Sequence, residues 1–340
     1  MIQCWGQCKE WSKYDVLRKE VEEFNKNSKF VKRGIAVTSC RFSMTHAGMT
    51  EQCFALVHVF MDGSVSLSIG GVEMGQGLNI KCLQVASRVL GLPIEMITMK
   101  EANTEKTANA PVTGGSQGSD VHGYAIKTCC EEILAGLKPV MEANPEGDWK
   151  SWVWTAYQQC VPLSSGKHIK VPRAEFGADD HNPTYFTTGA ACVVSEVNML
   201  TGSHKLLNVD IVMDTGDSLN PAIDIGQIEG GFTQGYGLLT TEELLWDKEG
   251  RLLTDAISKY NIPTAATMPE KFRVMLLKEP NAYGGSVYSS KGIGEPPLLL
   301  GSCVFLAMER AILSFAKNPK KRPLSAALSR PPESARTHVN

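Results

Sequence analysis

The residues best suited to do chemistry lie together near the C-terminal end, in Lys291-Gly-Ile-Gly-Glu-Pro-Pro297. Glu295 is the acid of this stretch. Its two glycines let the backbone approach another group with no side chain in the way. Its two prolines fix the chain direction and suit the first turn of a helix. A carboxylate held rigidly in front of open space is a way to mount a general base, a group that takes a proton from a reacting atom. Two effects oppose each other there. A following helix N-terminus favours the anion, whereas burial against Ile293 and the apolar helix disfavours it and raises basicity. The sequence leaves that balance open.

Three glycine-rich segments accompany this acid. Gly70-Gly-Val-Glu-Met-Gly-Gln-Gly77 stands between a strand-like run and a helical one. Backbone N–H groups in such a turn, with a helix N-terminus behind them, make an anion site that suits a pyrophosphate-bearing cofactor. A tight turn that simply needs glycine is the other reading. The spacing is not Gly-x-Gly-x-x-Gly and there is no Walker sequence, so a nucleotide fold is not supported. Thr113-Gly-Gly-Ser-Gln-Gly-Ser119 repeats the theme before a second helix. In the third, between Gly226 and Gly237, each helical glycine costs roughly 1 kcal/mol against alanine. Close approach of a cofactor, with Gln227 and Gln234 supplying amides, or plain helix–helix packing would compensate. His181 in a polar loop reads as solvated, and neither His-Glu-x-x-His nor Gly-x-Ser-x-Gly occurs.

The elements that must position these segments follow from periodicity. Residues 10–27 read as one amphipathic helix, with Trp11, Tyr14, Leu17, Val21 and Phe24 at three- and four-residue steps. Strands are expected at 34–39, 54–60 and 64–69, the last two joined by an Asp62-Gly63 hairpin turn. Helices are expected at 78–90 and 120–137, the second capped by Ser119 or Asp120. A loop covers 139–150, a short helix 152–160, and 164–186 reads as irregular. A long hairpin over 187–198 and 204–213 precedes a helix at 222–239, a strand at 272–277 and a final helix at 298–316. Strands and helices mix without strict alternation, which predicts an α+β fold with mixed sheets packed against helices.

Composition narrows the function. The 340 residues are 43% hydrophobic and 21% charged with a net charge of −2, enough for a substantial core. That balance gives no reason to expect nucleic acid or an anionic membrane as partner. No apolar stretch is expected to reach the roughly 20 residues of a membrane span, and the N-terminus does not read as a signal peptide. The ten cysteines contain no Cys-x-x-Cys pair, so they read as buried free thiols of a reducing cytosol, not as zinc or iron–sulfur ligands.

Taken together, the loop at 70–77, Thr113-Gly-Gly-Ser116, Asp210-Ile-Val-Met-Asp214 with Leu219-Asn-Pro-Ala-Ile-Asp-Ile-Gly-Gln-Ile-Glu-Gly230, and Lys291–Pro297 occur in one order. The chain thereby resembles the molybdenum hydroxylases, the xanthine dehydrogenase and aldehyde oxidase family, from Cys4-Trp5 to about residue 316. The resemblance implies the C-terminal half of that family's molybdopterin-binding region over 1–316, and composition alone reads 317–340 as a basic, mobile tail. It implies that Met74, Gly75 and Gln76, then Gly115, Ser116, Gln117 and Gly118, and Gln227 bind molybdopterin, which carries the molybdenum. It implies Glu295 as the base in hydroxylation of an aldehyde or purine-like N-heterocycle carbon, with oxygen from water. In a full-length form it implies 2Fe-2S clusters, FAD and a cytoplasmic homodimer. Thr113-Gly-Gly-Ser leans towards aldehyde oxidases. The family's Gly-x-Phe-Gly-Gly segment and its substrate-selecting arginine segment have no counterpart here. A non-catalytic fragment or interaction protein, with apolar surface left exposed, is the alternative reading.

Overall fold

The computed structural model describes residues 1–45, 52–171, 184–280 and 286–316; His181 and the tail at 317–340 lie outside them. Its centre is the expected long hairpin. Strands β6 (Tyr185–Asn198) and β7 (His204–Asp214) pair antiparallel across the turn at Gly202. Ala191 and Val193 face one apolar cluster and Ala190 and Cys192 the other. Both faces are therefore covered, and the strands read as apolar runs instead of alternating. Strand β1 (Val31–Met44) adds antiparallel to β6, and β8 (Lys271–Leu276) adds parallel to β7, giving the order β1-β6-β7-β8.

A second sheet runs β4-β3-β2-β5, from β2 (Gln52–Val59), β3 (Val65–Ile69), β4 (Ile97–Met99) and β5 (Ser164–Lys170). Asp62 and Gly63 make the β2–β3 turn as expected: Asp62 accepts the Ser64 N–H at 2.9 Å and Gly63 has φ +86°. Cys53, Ala55, Val57 and Val59 alternate onto one face, where helices α3 (Leu78–Leu90) and α4 (Gly118–Ala143) cover them. On the first sheet, α1 (Ile2–Trp11) and α2 (Tyr14–Asn27) lie on one side. Helices α6 (Pro221–Thr240) and α7 (Ser302–Phe315) lie on the other. The α+β class with mixed sheets holds, as two sheets with separate cores that meet at a seam.

Several expectations are corrected. The helix at 10–27 is two helices, broken where Lys13 adopts φ +55°. Helix α4 runs on to Ala143 through Pro139, because Leu137 and Val140 are buried in the core and tertiary packing overrides the breaker. Its N-cap is Gln117 with no side-chain cap, so neither Ser119 nor Asp120 serves. Helix α5 (Trp149–Gln158) starts early because Asp148 and Ser151 form a capping box. Part of the expected irregular stretch is the edge strand β5. The last helix opens with a 3-10 turn, Pro296–Gly301, since two prolines supply no N–H to an α-helical ladder. The run Pro296–Phe315 does have the length and hydropathy to cross a bilayer, contrary to expectation. Here Leu300, Cys303, Val304, Ala307 and Ala311 are buried instead, the first four in the first sheet's core.

All ten cysteines are free and nine are buried. Burial pushes Cys40 and Cys303 up to about 12, which keeps them as thiols.

The glycines of α6 divide by use. Gly235 and Gly301 meet where α6 crosses the 3-10 turn, and a Cβ on either would collide with backbone of the other element. Helix packing therefore accounts for this end of the stretch. Gly301→Val is expected to destabilise the chain by about 1–3 kcal/mol. Urea denaturation followed by circular dichroism reads this; an unchanged midpoint would show that the crossing can open at no cost.

Candidate functional site

The segment that carries Glu295 is pinned at four points along the seam between the sheets. The Lys291 ammonium is buried against Asp214 Oδ2 at 2.7 Å. The Gly292 N–H donates to the Tyr185 hydroxyl at 2.8 Å, and its carbonyl accepts from the Thr187 hydroxyl at 2.8 Å. The Glu295 N–H donates to Ser116 Oγ at 2.7 Å. Ser116 takes φ +58°, a left-handed conformation that costs a non-glycine residue about 1–3 kcal/mol and recurs at ligand sites. Residue 292 must be glycine, because a Cβ there would run into the Ser116 carbonyl and Met44. The glycines of this segment thus let the loop at 113–119 lie across it. Glu295 is half-buried, and its Oε2 is buried with no hydrogen-bond partner.

Of the two readings of the first glycine loop, the tight turn is the one its hydrogen bonds fit. The carboxylate of Glu73 already accepts the N–H groups of Gly75, Gly77 and Asn79, at 2.9, 3.0 and 2.9 Å. Gln76 is folded back as well: its carbonyl accepts from the Met74 N–H and its amide donates to the Val72 carbonyl. The loop holds itself in shape with its own side chains.

A cavity of about 260 Å3 lies between these segments. Met74, Gln76, Ser116, Gln117, Gly118, Gln227 and Glu295 line it. Residues up to 221 positions apart in sequence, Met74 and Glu295, thus share one wall system. Gly75 and Gly115 do not line the cavity; they bend the two loops, at φ +94° and +67°. The Gln117 side-chain amide donates to the Thr45 carbonyl at 2.7 Å, and its Oε1 is buried without a partner. A larger groove of about 570 Å3 runs beside α1, α2, β1 and α7, and no candidate residue lines it.

Sequence reasoning missed Lys81, which also lines the cavity. It pairs with Asp224 at 2.6 Å, both side chains buried, and Asp224 takes a second bond from Ser218 at 2.5 Å. This pair ties α3 to the first turn of α6, just ahead of Gln227. Asn220 adds to the link: it caps α6 through the Ile223 N–H and reaches Gln84 of α3. No spacing signal marks Lys81, since its partner lies 143 residues away. His122 was also unforeseen. Its ring lies under the first loop, filling the space that a Cβ on Gly71 would need. Burial pushes its pKa down to about 4.

The cavity walls carry amides, hydroxyls and one paired ammonium, groups that hydrogen-bond a polar ligand. Among the described residues no group of three His, Cys, Asp or Glu side chains could hold a metal ion. These features define a cofactor-binding unit built at a seam between two sheets. The sequence pattern of the molybdopterin cofactor-binding domain matches residues 7–269, and the chain belongs to that family.

The relatives agree. A probable aldehyde oxidase of Caenorhabditis elegans is 49% identical over 304 residues, 89% of this chain and 24% of the relative. A xanthine dehydrogenase/oxidase of Gallus gallus is 43% identical over 316 residues, 92% of this chain and 23% of the relative. The chain spans about a quarter of the length of these curated relatives. A Cu,Mo-CO dehydrogenase matches with a TM-score of 0.81 at 19% identity, over 97% of this chain and 46% of that one. An aldehyde oxidoreductase of Desulfovibrio desulfuricans matches with a TM-score of 0.73 at 23% identity, over 90% of this chain and 32% of that one. These two share the fold.

Two measurements check the site's supports. Lys81→Met leaves Asp224 buried without its counter-charge, which is expected to cost about 3–5 kcal/mol. Replacing both, as in the Lys81→Met, Asp224→Leu double variant, is expected to restore much of that stability in a denaturation series. A double variant as unstable as the single would mean that the pair's charges are not what the fold depends on. For His122, the folded pKa of about 4 lies below the ordinary 6.5. Between those values the unfolded chain binds more protons, so the stabilisation present above pH 6.5 is lost as pH falls towards 4. The expected loss is on the order of 3 kcal/mol. His122→Asn is expected to lose less stability than the parent between pH 7 and 4.5 in urea melts. An equal loss would place the acid sensitivity on carboxylates.

Proposed function

We propose that this chain is the cofactor- and base-bearing segment of a molybdenum hydroxylase of the aldehyde oxidase and xanthine dehydrogenase type. Its substrate would be a small molecule, an aldehyde or an N-heterocycle with an electron-poor carbon. The observation that carries the reading is the convergence of Gln76, Gln117, Gln227 and Glu295 on one cavity from four separate segments. In this assignment the three glutamine amides bind the edges of the pterin, with Met74, Ser116 and Gly118 completing the wall. Gly75 and Gly115 shape the loops. When bound, the cofactor supplies a two-electron acceptor and a metal that acidifies water.

The protein's own part is proton transfer and orientation. The reaction class turns a C–H bond and a water molecule into a C–OH bond, two protons and two electrons. Glu295 takes one of those protons at its carboxylate, which lines the cavity and has an oxygen, Oε2, with no hydrogen-bond partner. Ser116 fixes the backbone of that residue through the Glu295 N–H, so that the carboxylate spends little entropy on alignment. Iron–sulfur and flavin domains that pass electrons on, a homodimer and a cytoplasmic setting complete the proposal, and these rest on the family resemblance.

A second reading has one observation in its favour. Leu238, Leu244, Trp246, Leu253 and Ile257 are all exposed in one stretch of chain, an apolar surface that suits an interaction protein or a fragment unable to hold the cofactor alone.

Molybdenum analysis of the purified chain separates the two readings. About one molybdenum per chain is expected for the first, and none together with aggregation for the second. In the loaded protein, Glu295→Gln is expected to retain molybdenum while turnover falls by at least about 100-fold. Ordinary turnover in that variant would end the assignment of Glu295.

A further inference from the structure

We propose that Tyr185 is a positioning residue for Glu295, its hydroxyl joining the start of α4 to the Lys291–Pro297 segment. The inference rests on the reading of Glu295 as the base.

Tyr185 is the first residue of β6 and is buried. Its hydroxyl donates to Asp120 Oδ2 at 2.6 Å and accepts from the Gly292 N–H at 2.8 Å. The direction of this chain of bonds is fixed. A backbone N–H can only donate, so the hydroxyl oxygen must accept from Gly292, and its single proton goes to the carboxylate. Asp120 sits in the first turn of α4, four residues after Ser116. Ser116 in turn takes the Glu295 N–H. Two connections therefore run from the α4 entrance to the segment, one ending at Gly292 and one at Glu295. They close a ring around Ile293 and Gly294. With both ends of that short stretch tied to the same support, the Cα of Glu295 has little freedom to shift against the loop at 113–119. Tyr185 does not line the cavity, so it acts through Gly292 and not on a bound substrate.

Phenylalanine at 185 keeps the ring and removes the joint. In the cofactor-loaded protein, Tyr185→Phe is expected to lower kcat about 10- to 100-fold, normalised to molybdenum content, with KM within about twofold. The double variant Tyr185→Phe, Glu295→Gln is expected to be no slower than Glu295→Gln alone, because the joint has nothing left to position. In the chain itself, hydrogen exchange of residues 286–301 is expected to rise at least tenfold while that of β6 and β7 stays fixed. Asp120→Asn, which keeps an acceptor for the hydroxyl, is expected to show a smaller rise than Asp120→Ala, and this pair decides the matter if Tyr185→Phe does not fold. Unchanged exchange at 286–301, equal rises for the two Asp120 variants, or additive losses in the double variant would overturn the inference. If Glu295→Gln itself turns over normally, the base assignment fails instead.

Discussion

The path of the chain from Lys291 to Glu295 depends on one buried ion pair. An ammonium with 1% of its side-chain surface exposed sits 2.7 Å from a carboxylate at 4%. Removing two charges from water is costly, and such a pair often adds little net stability over apolar side chains of similar volume. What it does impose is place, because either charge without the other is strongly unfavourable. Asp214 ends β7, a central strand of the first sheet, and Lys291 opens the candidate catalytic segment. A central strand of the first sheet thus dictates where that segment begins. Everything downstream inherits the position: Gly292 between Tyr185 and Thr187, Glu295 under Ser116, then the prolines that start the turn against α6.

The same logic recurs on the other side of the cavity. Lys81 and Asp224 join α3 to α6 and so join the second sheet to the first. Each sheet has its own core, and packing within those cores says nothing about how the sheets meet. Polar pairs at the seam say it, because hydrogen bonds and charges are directional where apolar contact is not. A site assembled from both halves needs that direction. The glycines serve a complementary purpose: at 235, 292 and 301 they remove side chains so that backbones can touch. The cost of flexible residues in α6 is offset by the close crossing that they allow.

Much of the fold was legible in periodicity. Helix α3 lies where its spacing put it, the β6–β7 hairpin and the Asp62-Gly63 turn were visible, and strand β8 was one residue from its predicted bounds. The failures differ in origin. Pro139 was read as a breaker, yet burial of Leu137 and Val140 carried the helix past it, whereas the helix at 10–27 was read from an apolar period that continues across the break at left-handed Lys13. At the site, the family resemblance brought out seven residues that line the cavity and two, Gly75 and Gly115, that do not, and glycine spacing brought out the loops. The pairs that hold them were invisible. Lys81 and Asp224, or Asp120 and Tyr185, look like ordinary polar residues of helices and strands until the chain is folded. Their partners are 143 and 65 positions away.

The first glycine loop shows how one spacing can serve two readings, a tight turn and an anion site. Four glycines before a helix suggest N–H groups held open for an anion. Glu73 fills that place from within the loop. An internal carboxylate on three N–H groups lowers the free energy of the bent loop before any ligand arrives, so the cost of ordering is met during folding and not on binding. It also changes what the loop can recognise. With the amides of Gly75, Gly77 and Asn79 engaged, the loop offers the cavity the side chains of Met74 and Gln76 in their stead. Met74 presents an apolar surface there, and the Gln76 amide is held in place by the Met74 N–H and the Val72 carbonyl. The glycines make the bend, the glutamate sets it, and Met74 and Gln76 face the cavity from it.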